Sequence, residues 1–199
     1  MDVTGVILAG GSSSRLGQDK ALLLLDARFP VNLYTRAAQL LQTLLPRVLI
    51  VGRAHPHFSY IEDDIPGTGP VGGVVTALRH ARTPCLVLSC DLPFMNRQTL
   101  TTLLAARAER PGVALRTIFV HQATGSLEPL VALYEPEALN YLEPLLADRK
   151  LKLAWGVPEA LQHRVMYTQA EALPFFSINR PADLQAARRI LASMPDWDF

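Results

Sequence analysis

Three short segments of the sequence combine glycines, cations and lone carboxylates in a way that suits the handling of phosphate. The first, Leu8-Ala9-Gly10-Gly11-Ser12-Ser13-Ser14-Arg15-Leu16-Gly17-Gln18-Asp19-Lys20, follows an apolar run and sets two cations behind small residues. Glycines let the backbone approach an anion, the N–H groups of a tight turn bind its oxygens, and Arg15 and Lys20 neutralise the remaining charge. The spacing is not that of a Walker loop, because Gly11 to Gly17 is misplaced for Gly-x-x-x-x-Gly-Lys-Ser/Thr and Lys20 comes too late. A serine-hydrolase elbow also fails for want of its closing glycine, so the serines read as small hydrogen-bonding loop residues. A flexible surface loop is the competing reading of this segment taken alone.

The second segment, Glu62 to Gly73, contains Gly67-Thr68-Gly69-Pro70-Val71-Gly72, which formally matches the dinucleotide fingerprint, with Asp91 at a suitable distance. The match is false. That fingerprint needs a strand running directly into its first glycine, and here Glu62-Asp63-Asp64-Ile65-Pro66 intervenes. The segment reads instead as a ligand-facing loop whose glycines open a helix started by Pro70. The third segment, Cys90-Asp91-Leu92-Pro93-Phe94, sets a carboxylate at the carboxyl end of the most apolar run in the chain. Asp91 either caps the next helix or holds a divalent cation. The helix signal begins only after Met95, and magnesium commonly takes one or two carboxylates with phosphate oxygens as its other ligands, which favours the cation.

These segments need a frame that brings them together, and the rhythm of the chain supplies one. Short apolar runs at Val3–Ala9, Val48–Val51, Cys85–Ser89 and Val113–Val120 alternate with helical patterns at Val31–Leu45, Val71–Ala81 and Asn96–Ala108. A further helix opens at Pro136, a basic turn follows at Asp148-Arg149-Lys150, a short run spans Phe175–Ile178, and a last helix enters at Pro181. The pattern predicts an α/β fold: a Rossmann-like, doubly wound, mostly parallel sheet with helices on both faces. No repeat or linker divides it, so residues 1–199 are expected to form a single domain. Ligands of such sheets sit beyond the carboxyl ends of the strands where strand order reverses, and all three segments are predicted there.

Bulk properties narrow the partners. With 19 basic and 18 acidic side chains the formal charge is +1, which gives no footprint for nucleic acid or an anionic membrane. The first apolar run lacks a basic lead and breaks after Ala9, so neither a signal peptide nor a membrane span is expected, and the chain is placed in the cytoplasm. The two cysteines, Cys85 and Cys90, read as buried free thiols on opposite faces of one strand. The five histidines, His55 and His57 among them, read as solvent-facing.

In order, the three segments read Leu-Ala-Gly-Gly-x-Ser-x-Arg-x-Gly-x-Asp-Lys, Asp-x-x-Pro-Gly-x-Gly-Pro-x-x-Gly and Cys-Asp-x-Pro-Phe. Together they resemble the molybdenum cofactor guanylyltransferases, over about the first hundred residues and again through Glu128-Pro129-Leu130-Val131-Ala132-Leu133-Tyr134 and Asn179-Arg180-Pro181. Gly10-Gly11 resembles the guanylyl branch, whereas cytidylyl relatives usually carry Leu-Ala-Ala-Gly. The resemblance implies a nucleotide-diphospho-sugar transferase-like fold and transfer of GMP from GTP to the terminal phosphate of molybdopterin, with release of pyrophosphate. It also implies that Leu8, Ala9, Gly10 and Gly11 line the nucleotide, that Arg15 and Lys20 meet its phosphates, that Asp63 is a further contact, and that Asp91 holds Mg2+. The implied partners are GTP and molybdopterin, for a monomer or weak homo-oligomer in transient contact with other cofactor-synthesis proteins.

The sequence departs from the family pattern at three places. Asp26-Ala27-Arg28-Phe29-Pro30 replaces a glycine turn followed by Lys-Pro, and Ser177-Ile178-Asn179-Arg180-Pro181 replaces Asn-x-Asn-Thr-Pro. A base-contacting asparagine of some relatives falls at Val51 or Gly52 here. The implied chemistry needs no protein nucleophile, since a phosphate monoester with a second pKa of about 6 is largely dianionic at neutral pH. What the protein must supply is in-line positioning and charge neutralisation. Rival readings are a cytidylyltransferase for the same pterin, a sugar-phosphate nucleotidyltransferase, and a non-catalytic nucleotide or cofactor carrier.

Overall fold

A computed structural model describes residues 2–10, 19–26 and 29–194. Its centre is a seven-stranded sheet. In chain order the strands of the structure are β1 (Thr4–Leu8), β2 (Leu24–Asp26), β3 (Phe29–Asn32), β4 (Arg47–Val51), β5 (Ser59–Ile61), β6 (Cys85–Ser89), β7 (Arg116–His121), β8 (Leu127–Tyr134) and β9 (Gln162–Tyr167). The helices are α1 (Leu33–Gln42), α2 (Gly69–Ala81), α3 (Arg97–Glu109), α4 (Leu139–Ala147) and α5 (Pro181–Ala192). The sheet order is β5-β4-β1-β6-β8-β7-β9, and β2 and β3 form a separate antiparallel pair. All pairings in the large sheet are parallel except those of β8 with β6 and β7. The predicted mostly parallel α/β sheet is therefore what forms.

Alternation along β1 shows how the layers are specified. Val6 and Ile7 are both fully buried but point to opposite faces. Val6 joins the cluster that holds Val71, Val74 and Leu78 of α2, and Ile7 the one that holds Ala38 and Leu41 of α1. Strands covered on both faces read as unbroken apolar runs, which is why Cys85–Ser89 was legible as a strand to the residue. The cysteines divide in the same way, Cys85 facing the α2 layer and Cys90 the α1 layer. Both are free. A third cluster joins Leu23, Leu25 and Leu33 to Phe94, Ile178 and the inner face of α5.

Several boundaries differ from the sequence reading. The helix predicted from Val31 begins at Leu33, because Val31 and Asn32 complete β3 and the Asn32 side chain caps the helix by accepting from the Thr35 N–H at 3.0 Å. The run Val113–Val120 becomes a strand only from Arg116, with Val113 exposed in the preceding turn. Pro136 opens a single 3-10 turn that leads into α4. Phe175–Ile178 is not a strand: Phe175 closes a 3-10 turn begun at Leu173, Phe176 is extended, and no regular element follows before α5. The expectation of solvent-facing histidines is wrong for two of them. His55 and His121 are buried, His55 between the edges of Tyr34 and Phe58 and bonded to Thr35 Oγ1 at 3.0 Å.

Candidate active site

The chain runs from β1 outward to β4 and β5, then returns through α2 to β6 on the other side of β1. Strand order reverses between β1 and β6, so the crevice for a ligand opens beyond Leu8 and Ser89. A cavity of about 320 Å³ lies there, lined by Leu8, Gly10, Asp63, Gly69, Ser89 and Leu130 among others. That volume lies within the range of about 300–1,000 Å³ usual for small-molecule sites. A larger cavity, of about 430 Å³, sits at the opposite end of the sheet among Thr4, Arg47 and Ser59, at the amino ends of their strands.

One wall of the first cavity depends on two glycines meeting without side chains. Gly52 follows β4 with φ +85°, in the left-handed region, and a Cβ there would stand 2.7 Å from Gly10 Cα. A Cβ on Gly10 would stand 2.9 Å from Asp63 Oδ2. The segments are tied by backbone bonds, Ala9 N–H to Val51 C=O at 3.0 Å and Gly52 N–H to Ile61 C=O at 2.8 Å. Asp63 therefore lies against both glycines. Its Oδ1 is buried and, among the described residues, accepts no hydrogen bond. Burial, and then the charge of Asp64, push its carboxyl above the ordinary range. A carboxylate oxygen left unpaired beside a cavity is costly unless a ligand donor meets it.

Further charged groups gather past the Ser89 rim of the cavity. Ser89 Oγ donates to Asp91 Oδ1 at 2.6 Å, and Lys20 Nζ lies 3.5 Å from Asp91 Oδ2. Lys20 also donates to Asn179 Oδ1 at 2.6 Å. The Ile178 N–H bonds the Asp91 carbonyl at 3.0 Å, fastening the segment before α5 to the loop after β6. Asp183 then accepts from the N–H groups of Asn179 and Arg180 at 2.9 and 2.8 Å, fixing the turn that aims Asn179. Asp91 is not a helix cap. That role belongs to Asn96, whose Oδ1 accepts from the Thr99 N–H at 2.9 Å.

Of the residues expected from the sequence, Leu8, Gly10 and Asp63 line the cavity, and Lys20 and Asp91 stand beyond its Ser89 rim. Ala9 turns its side chain into the core. Gly11 and Arg15 lie outside the described residues. Gly67, before α2, and Gly69, its first residue, flank the cavity at positive φ, and β5 ends at Ile61 well before them, which excludes the dinucleotide fingerprint. Two positioning residues escaped the sequence reading. Arg53 pairs with Asp19, which in turn accepts from the Ala21 N–H at 3.0 Å and so sets the turn that carries Lys20. Asn179 stands in the segment that departs from the family pattern, and nothing local announces that it reaches Lys20 across 159 positions.

Comparison with known proteins agrees with this geometry. Residues 5–164 match the model of the MobA-like NTP transferase domain. A probable molybdenum cofactor guanylyltransferase of Pelotomaculum thermopropionicum is 33% identical, with 94% of this chain and 93% of the relative covered. One from Deinococcus radiodurans is 36% identical, with 92% and 93% covered. Among solved structures, molybdopterin-guanine dinucleotide biosynthesis protein A from Archaeoglobus fulgidus superposes with a TM-score of 0.76 at 27% identity, covering 96% of this chain and all of that one. With a sheet that reverses order at β1 and β6, a cavity at that point and relatives matched over nearly their whole length, the chain belongs to the MobA-like NTP transferase family.

Proposed function

We propose that the chain transfers GMP from GTP to the terminal phosphate of molybdopterin, forming the guanine dinucleotide cofactor and pyrophosphate. The observation that carries this reading is the meeting of Lys20, Asp91 and Asn179 at the rim of a nucleotide-sized cavity, with the unpaired Asp63 oxygen on its far wall. The family and the names of its matched relatives support the choice of GTP and of the pterin acceptor. In this reading residues 1–199 act as one domain in the cytoplasm; among the described residues no helix is long and apolar enough to cross a membrane.

Each residue has a physical task. Leu8 and Gly10, with Gly11, admit the nucleotide closely, and Asp63 Oδ1 accepts a donor from it. Lys20 and Arg15 neutralise the triphosphate, while Asn179 and Arg53 keep the Lys20 turn in place. The acceptor phosphate attacks in line as a dianion, so the protein holds two substrates and balances charge without moving a proton. Asp91 suits a divalent cation: it caps no helix, takes one hydroxyl donor from Ser89, and keeps further lone pairs. Among the described residues no three metal-binding side chains cluster, so remaining ligands would be phosphate oxygens and water, the usual habit of magnesium. When bound, Mg2+ supplies charge stabilisation to the transferring and leaving phosphates.

The test is a turnover assay with molybdopterin and GTP labelled on the α-phosphate. Label is expected in the dinucleotide only when a divalent cation is present. Equal turnover with CTP would remove the guanine assignment, and binding of GTP without transfer would leave a carrier.

A further inference from the structure

The sheet edge that carries the nucleotide cavity continues past β6 into a second cavity, of about 420 Å³, lined by Glu128, Tyr167, Gln169 and Phe175 among others. Because β8 runs antiparallel to β6, its first residues lie beyond the carboxyl end of β6. Leu130 lines the first cavity and Glu128 the second. The strand is irregular there. Ile118 of β7 pairs with Ala132, yet Val120 pairs with Leu127, so two steps along β7 match five along β8 and residues between are thrown out of register. Such bulges re-aim side chains next to functional sites.

What they aim at is an open pocket with aromatic walls. Tyr167 and Phe175 lie with ring centroids 4.2 Å apart, and His121 meets Tyr167 edge-on at 5.1 Å. Tyr167 donates its hydroxyl to Glu128 Oε1 at 2.7 Å, and His121 Nε2 is bonded to Gln169 Oε1 at 3.2 Å. Glu128 Oε2 accepts nothing among the described residues. Burial pushes the carboxyl upward, opposed by the Tyr167 hydroxyl and by His121. A carboxylate set among aromatic rings, with one lone pair of Oε1 taken by Tyr167 and the rest of both oxygens available, suits a flat heterocycle presenting two adjacent N–H donors.

We propose that this cavity is the acceptor's ring subsite, and that Glu128 receives the paired N–H donors of the amino-pyrimidinone edge of a pterin lying beside Tyr167 and Phe175. The inference rests on the acceptor reading above. Connectivity supports it: the chain that forms the wall at Ala172, Phe175 and Phe176 continues directly to Ile178 on Asp91 and Asn179 on Lys20. A ring seated here lies at one end of that segment, and the charged pair lies at the other.

The probe is 6-hydroxymethylpterin, whose own fluorescence reports binding without any transfer, compared with 6-hydroxymethyllumazine, which lacks the amino donor. Wild-type protein is expected to bind the pterin at least tenfold more tightly than the lumazine. Glu128→Gln should weaken the pterin by roughly tenfold to a hundredfold, the scale of a hydrogen bond to a charged group, and leave GTP affinity unchanged. Tyr167→Phe, which keeps the ring, should lose only a few-fold. Equal binding of the two rings, unaltered pterin binding by Glu128→Gln, or no binding by wild type would overturn the subsite. Glu128-dependent pterin binding by a protein that moves no label from GTP would sustain the subsite and sink the transfer reading instead.

Discussion

At the scale of single residues, Asp91 and Asp63 are two carboxylates given different tasks by their surroundings. Asp91 is held between a hydroxyl and an ammonium and keeps lone pairs toward the rim. Removing its charge by Asp91→Asn should abolish cation-dependent transfer while melting temperature changes little, since the helix cap is Asn96. Activity near wild type would refute the metal role. Lys20→Ala should lower kcat by two to three orders of magnitude, the scale of one preorganised charge stabiliser. Asp63 has its carboxyl raised by burial, so its ionised form opposes folding. A raised folded-state pKa means stability is greatest below the unfolded value and falls as pH rises through the folded one. Asp63→Asn should therefore raise Tm at neutral pH. The gain should vanish in acid, where wild-type Asp63 is protonated. The same variant should weaken GTP binding, and unchanged affinity would remove Asp63 from the site.

At the scale of elements, Gly10 and Gly52, just after β1 and β4, are built for close approach. Gly52 shows how little room is left, because any side chain meets both a positive φ and the Gly10 backbone. Gly52→Ala should cost about 1–3 kcal/mol and depress GTP affinity, because relieving the clash moves Gly10 away from Asp63. The helix after β6 behaves differently. Asn96→Ala removes the α3 cap and should cost about 1 kcal/mol in urea unfolding while kcat and KM stay as they are. A large kinetic effect would mean that the Asp91 loop takes its geometry from the helix and not from the Ile178 and Ser89 bonds.

At the scale of the whole molecule, the site is made by chain segments brought together from both ends. With a net charge of only +1 there is no general attraction for polyanions, so nucleotide affinity must come from this one crevice. GTP with Mg2+ at about a hundred times its Kd should add about 2.7 kcal/mol of stability, seen as a rise in melting temperature that CTP at equal concentration does not match. The sequence by itself determined the parallel core, since strands buried on both faces must read as apolar runs, as at Val3–Ala9 and Cys85–Ser89. It also marked residues that border the cavity, Leu8, Gly10, Asp63 and Gly69 among them, because glycines and lone carboxylates just after such runs have few other physical uses. It left β2, β3, β5, β8 and β9 unread, strands that are short, half-exposed or, in β8, irregularly paired and so give weak periodicity. Only the tertiary structure decided that His55 and His121 are buried, that Asn179 reaches Lys20, and that Glu128 turns toward Tyr167. Those contacts join residues 39 to 159 positions apart or depend on how neighbouring elements pack, and no local pattern of residue types encodes them.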